Sequence, residues 1–168
     1  MSEDIINKVA LSELVTIDLE SFYPKDEIVV FDLQPYLFMG LVLKEKEFRQ
    51  ALQNIDWSQY KNKVAAVTCT ADAIIPVWAY MLVASYLQPY ATDTIMGNES
   101  IAAEYLILKR IESIDVNEYI DKRIVIKGCG HIKIADSAYL AITKRLRPVT
   151  RSIMYGEPCS TVPIYKRK

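Results

Sequence analysis

The chain has 168 residues, about the length of one domain, and 51% of them are hydrophobic, so we expect a packed core rather than disorder. The formal net charge of −1 argues against sequence-independent binding of nucleic acid. The longest apolar run, residues 73–84, contains Pro76 and is shorter than the roughly 20 residues that span a membrane. Residues 1–7 lack the basic and then apolar pattern of a secretory signal, which predicts a cytoplasmic protein.

The first third of the chain predicts two short strands and a helix. Apolar and polar residues alternate over 14–20, which is typical of a half-buried strand, and a second strand is predicted over 28–31. The apolar segment 36–43 is broken by Gly40, so it is either a third strand or a covering loop, and it would also suit contact with a second copy. Apolar residues at helical spacing between 48 and 55 predict the first helix.

From residue 63 onward, predicted strands and helices alternate. The strands cover about 64–67, 92–96, 123–126 and 151–155, and the helices about 76–87, 98–111 and 136–146. Asn98 and Asp136 are predicted to cap the last two helices. Continuous apolar strands separated by helices indicate a parallel sheet covered on both faces. We therefore predict one α/β domain over residues 1–168, a three-layer sandwich with a largely parallel sheet, an N-terminal β extension and no internal repeat.

Each of the three cysteines follows a predicted strand. They are Cys69, Cys129 and Cys159, and an odd number of them in a chain without a leader favours reduced thiols. Because open parallel sheets bind ligands outside the carboxyl ends of their strands, the three thiols are expected to meet in one pocket. The alternative is that the cysteines only fill the core, as small apolar residues do.

Three thiolates on separate loops favour a soft metal, either zinc or an iron–sulfur cluster. Such a site needs a fourth ligand, and the candidates are His131, Asp72, Glu157 or a molecule from outside. Three protein ligands and an open position would make a zinc site catalytic rather than structural. Binding of a metal ion or an iron–sulfur cluster through the three thiolates is the leading functional hypothesis.

Two glycines flank Cys129 in the sequence. Gly128 and Gly130 would let the backbone approach a bound cofactor closely or form a nest for an anion. A tight turn without any ligand explains them equally well. The longer glycine motifs of dinucleotide and phosphate-binding loops are absent from the sequence.

A thiol enzyme is the second functional hypothesis. Since the leading hypothesis requires no catalysis, the sequence leaves open whether the protein is an enzyme. Lys127 would lower the pKa of the Cys129 thiol, and Asp72 or Asp32 would assist an acyl-transfer or hydrolytic reaction. The sequence has no Cys-x-x-Cys pair, no Cys-x5-Arg loop and no Gly-x-Ser-x-Gly elbow. A non-catalytic interaction protein is the third hypothesis.

Four segments resemble the bacterial family called domain of unknown function 2480, and the resemblance covers nearly the whole chain. The segments are LVTIDLE (14–20), TCTADAIIPVWAYM (68–81), IKGCG (126–130) and SIMYGEPCSTVPIYK (152–166). No activity comes with this resemblance, but it implies an association with iron–sulfur assembly proteins. Its motif residues are Cys69, Asp72, Lys127, Gly128, Cys129, Gly156, Glu157 and Cys159. His131 is not part of the motif, so the resemblance favours Asp72 or Glu157 as the fourth ligand.

Overall fold

The computed structural model of the protein describes residues 14–128, 130–157 and 160–168, and the chain divides into two compact units. The terminal unit combines Met1–Tyr23 with Leu106–Lys168, and the central unit comprises Pro24–Tyr105. Both units contain parallel strands and helices, which confirms the predicted α/β class. No helix within the described ranges has the length and apolar character needed to cross a membrane.

The strands are β1 (Leu14–Asp18), β2 (Ile28–Asp32), β3 (Leu37–Phe38), β4 (Val42–Leu43), β5 (Val64–Thr68), β6 (Asp93–Met96), β7 (Arg123–Lys127), β8 (Ser152–Glu157) and β9 (Ser160–Lys166). The helices are α1 (Glu45–Gln53), α2 (Val77–Leu87), α3 (Glu99–Glu112) and α4 (Asp136–Leu146). Short 3-10 helices cover Leu19–Phe22, Gln34–Tyr36, Trp57–Tyr60 and Val116–Tyr119.

The terminal unit contains a four-stranded sheet in the order β1-β7-β8-β9, in which only the β8–β9 pair is antiparallel. The apolar faces of β7, β8 and α4 form its core, where Ile124, Ile142, Leu146 and Ile153 are fully buried. Burial of such aliphatic side chains contributes about 1.5–3 kcal/mol each. The parallel register places Asp18 opposite Lys127, at the carboxyl ends of β1 and β7.

The central unit contains a three-stranded parallel sheet in the order β2-β5-β6. Its core is aromatic: the ring of Phe31 stacks on those of Tyr36 and Trp57, and Trp57 stacks on Tyr86 with centroids 5.1 Å apart. The ambiguous segment 36–43 forms the short antiparallel hairpin β3–β4.

The prediction is confirmed for the largely parallel strands and for their order along the chain, but the strands lie in separate sheets. The antiparallel strand β9 was not predicted, because it is mostly exposed and contains Pro163, and so lacks a buried apolar pattern. Asn98 caps α3 as expected, accepting a hydrogen bond from the Ile101 N–H at 3.0 Å. The predicted cap by Asp136 is wrong: α4 begins at Asp136, and Ala135 before it makes no side-chain cap.

The two units repeat one another, so the expectation of no internal repeat is also wrong. β5, α2 and β6 correspond to β7, α4 and β8, each starting 59 residues later (64 and 123, 77 and 136, 93 and 152). Positive φ angles recur at Asn62 and Asp121, and at Gly97 and Gly156. The aligned segments share identical residues at 56/115, 60/119, 63/122, 75/134, 79/138, 80/139, 87/146, 89/148 and 97/156. The first strands correspond as well, since β2 pairs with β5 as β1 pairs with β7.

Candidate functional site

A group of charged side chains lies at the carboxyl ends of the strands in the terminal unit. Lys127 Nζ lies 3.1 Å from Asp18 Oδ2. The hydrogen bond and the charge of Asp18, followed by the charges of Glu157 and Glu20, raise the pKa of Lys127. Lys127 therefore stays protonated, and its one positive charge faces three carboxylates, which leaves this edge of the sheet electronegative.

The two predicted glycines are held tightly in this edge. A Cβ atom on Gly130 would collide with the Glu20 carboxylate, and one on Gly128 would collide with the Tyr139 hydroxyl. That hydroxyl donates a hydrogen bond to the Gly128 carbonyl at 3.0 Å. Glu20 Oε1 is buried and has no hydrogen-bond partner within the described part of the chain. A buried carboxylate oxygen that lacks a donor is costly, so this atom is well placed to accept a ligand.

Of the three predicted cysteines, Cys69 lies within the described residues, whereas Cys129 and Cys159 lie outside them. Cys69 follows β5 in the central unit, is half-buried, and has its Sγ 3.7 Å from the Ala71 carbonyl oxygen. β5 lies in a different sheet from β7 and β8, and the meeting of the three thiols in one pocket stays a prediction. Within the described ranges, no three His, Cys, Asp or Glu side chains are grouped so that they could hold a metal ion.

The two carboxylates proposed to assist a thiol enzyme are either engaged in hydrogen bonds or exposed. Asp32 Oδ1 accepts hydrogen bonds from the Gln34 and Thr70 N–H groups at 2.9 and 3.0 Å, and Oδ2 accepts one from the Thr70 hydroxyl. Burial acts to raise the pKa of Asp32, but these hydrogen bonds outweigh it and lower that pKa. Asp72 is exposed, as is His131. Asp32 therefore joins the ends of β2 and β5 as a structural acceptor.

This role predicts how stability depends on pH. Because the pKa of Asp32 is depressed on folding, its contribution is complete above the ordinary value of 3.8 and is lost as the pH falls through the folded-state pKa. We expect Asp32→Asn to lower the free energy of unfolding by about 1 kcal/mol at pH 7, and by less at pH 3. Urea denaturation at both pH values measures this, with the exposed-site variant Asp72→Asn as control. An equal loss at both pH values would contradict the assignment.

Comparison of the two repeated units distinguishes structural from functional residues at the carboxyl ends of their strands. Asp18 and Asp32 are equivalent and do the same work, since each accepts a hydrogen bond from the N–H two residues later. The other three charged groups at this edge of the terminal unit have uncharged equivalents in the central unit: Glu20 corresponds to Gln34, Lys127 to Thr68 and Glu157 to Asn98. The fold therefore does not require these three charges, which makes them the best functional candidates among the described residues.

Sequence reasoning identified Lys127, Glu157 and the two glycines, but it missed Asp18 and Glu20 as members of the same group. Both acids lie in the segment 14–20, which carried part of the family resemblance. Their place beside Lys127 depends on the pairing of β1 with β7, more than a hundred residues away in sequence. The internal repeat was the available signal, because it aligns β1 with β2.

Comparison with known proteins gives a family but no characterised relative. Neither a curated protein nor a solved structure matches the chain. The family described as "Protein of unknown function (DUF2480)" matches residues 3–167, which is nearly the whole chain. The chain therefore belongs to the DUF2480 family, as its sequence motifs predicted.

Proposed function

We propose that the terminal unit binds a metal ion through the thiolates of Cys129 and Cys159 together with neighbouring carboxylates, and that Cys69 is not a ligand. The observation that carries this proposal is the buried Oε1 of Glu20, which has no partner among the described residues and packs against Gly130. Gly130 directly follows Cys129 in the sequence. A cation held by the thiolate would compensate the buried carboxylate.

The chemistry of the donors supports zinc. In sequence, Cys129 comes two residues after Lys127 and Cys159 two residues after Glu157, and both of these described neighbours belong to the electronegative edge. Two thiolates and two carboxylates, from Glu20 and Glu157, make up a set of four that zinc accepts. Iron–sulfur clusters prefer thiolates throughout. A cytoplasmic location fits this proposal, because thiols stay reduced there.

The thiol-enzyme hypothesis receives less support. A lysine that activates a cysteine supplies a positive charge that no other group has already offset. Lys127 is paired with Asp18 and is surrounded by further acids. Negative surroundings raise the pKa of a free thiol, whereas they favour a thiolate that is bound to a cation.

Metal analysis of anaerobically purified protein tests the proposal. We expect about one zinc ion per chain, loss of that ion in Cys129→Ser and in Cys159→Ser, and full retention in Cys69→Ser, which is the matched control. Circular dichroism establishes that each variant is folded. Iron and sulfide that are lost in all three variants would instead establish the three-thiol cluster and a place beside cluster-assembly proteins. Wild-type protein without stoichiometric metal would overturn both the zinc site and the three-thiol cluster.

A further inference from the structure

A cavity of about 440 Å³ lies in the terminal unit between α4 and the strands β7, β8 and β9. Its apolar wall is formed by Ile126, Ile134, Met154 and Ile164. Ile126 and Ile134 are buried whereas Ile164 is 52% exposed, so the wall extends from the core to the surface. The volume lies in the range of small-molecule sites, roughly 300–1,000 Å³.

The polar groups of the cavity favour a cation. They belong to Asp136, Tyr139, Thr143 and Tyr155, and of the described residues that line the cavity only Asp136 carries a charge at neutral pH. The rings of Tyr139 and Tyr155 meet edge to face, with centroids 5.8 Å apart. A carboxylate beside aromatic rings binds organic cations by charge-assisted hydrogen bonding and cation–π attraction. The same carboxylate repels anions.

The repeat indicates that the fold does not require these polar groups. At the equivalent positions, the central unit has Val77 for Asp136, Ala84 for Thr143 and Met96 for Tyr155. Tyr80 corresponds to Tyr139, so that tyrosine is common to both units. One unit thus builds the same helix and strand with apolar residues where the other lines a cavity with a carboxylate and two hydroxyls.

We propose that this cavity binds a small organic cation, with an ammonium group on the Asp136 carboxylate and an aromatic or branched apolar body against the isoleucines. The proposal does not depend on metal binding. Tyr139 connects the cavity to the charged edge, because its hydroxyl bonds to the Gly128 carbonyl. An occupant of the cavity would therefore contact a tyrosine that is hydrogen-bonded to Gly128 at the charged edge.

Two probes of similar size and opposite charge test this proposal: 2-phenylethylammonium and 3-phenylpropionate. In NMR titrations of the full chain we expect saturable binding of the cation, with a Kd in about the millimolar range, and no saturable binding of the anion. Asp136→Asn is expected to weaken cation binding by about tenfold or more, because it removes a charge-assisted hydrogen bond.

Glu118→Gln is the matched control, since it removes an exposed carboxylate from the same unit outside the cavity and should leave the affinity unchanged. Absence of saturable cation binding, equal affinity for both probes, or an unchanged affinity in Asp136→Asn would each overturn the proposal. Cation binding should persist in the Cys129→Ser/Cys159→Ser double variant, so failure of the metal proposal and failure of this one give different results.

Discussion

In the triple variant Glu20→Gln/Lys127→Thr/Glu157→Asn, the affinity for the proposed metal ion is expected to fall by about a hundredfold or more while the fold is kept. Removal of carboxylate ligands and of the charge around them weakens metal sites by such factors. The new residues are those that the central unit places at the equivalent positions, so the backbone accommodates them. Glu20→Gln also removes a buried charge whose Oε1 has no hydrogen-bond partner among the described residues, and burial of such a charge is destabilising. Competition with a chromophoric chelator measures the affinity, and thermal unfolding measures the fold.

The single variant Lys127→Thr gives the sharpest control for this prediction. It removes the ammonium that competes with a metal ion for the surrounding carboxylates, so metal affinity should stay equal or rise. A thiol enzyme would respond in the opposite way, because its cysteine would lose an activating charge and react more slowly with iodoacetamide. Loss of metal in Lys127→Thr alone would contradict the electrostatic argument.

The second large effect concerns stability. Leu146 on α4 and its equivalent Leu87 on α2 are both fully buried. We expect Leu146→Ala and Leu87→Ala each to lower the free energy of unfolding by about 2–5 kcal/mol, because each leaves a cavity in its core. Leu140, also on α4, is 71% exposed, so Leu140→Ala should change stability by no more than about 0.5 kcal/mol. Urea denaturation followed by circular dichroism measures all three.

The same pair of variants tests whether residues 1–168 behave as one domain. Leu146 lies in the terminal unit and Leu87 in the central unit. If the chain is one cooperative domain, both variants shift a single unfolding transition to lower urea by similar amounts. Two transitions, each shifted by only one of the variants, would show that the units unfold independently and would refute the single-domain prediction.

Local patterns predicted most of the secondary structure and not the division into sheets. The helix α4 and the strand β7 follow from apolar spacing that is visible within a dozen residues. The partner of β1 does not, because its nearest strand in sequence is β2 whereas its hydrogen-bonded partner is β7. Apolar periodicity identifies a strand and its buried face, but it carries no information about a distant partner.

The candidate site was also predicted only in its local features. Glycines around Cys129 indicated close packing, and Gly128 and Gly130 do contact Tyr139 and Glu20. Asp18 and Glu20 were not predicted as neighbours of Lys127, since the pairing of β1 with the distant β7 and the 3-10 helix that follows β1 place them there.

The order of strands along the chain has a consequence for synthesis. The whole central unit is inserted between β1 and the other strands of the terminal sheet. As the polypeptide leaves the ribosome, the central unit has every one of its strands by residue 96, whereas β1 must wait until β7 emerges. Nascent chains truncated soon after Tyr105, where the central unit ends, should therefore protect the aromatic core from proteases while β1 stays open to cleavage.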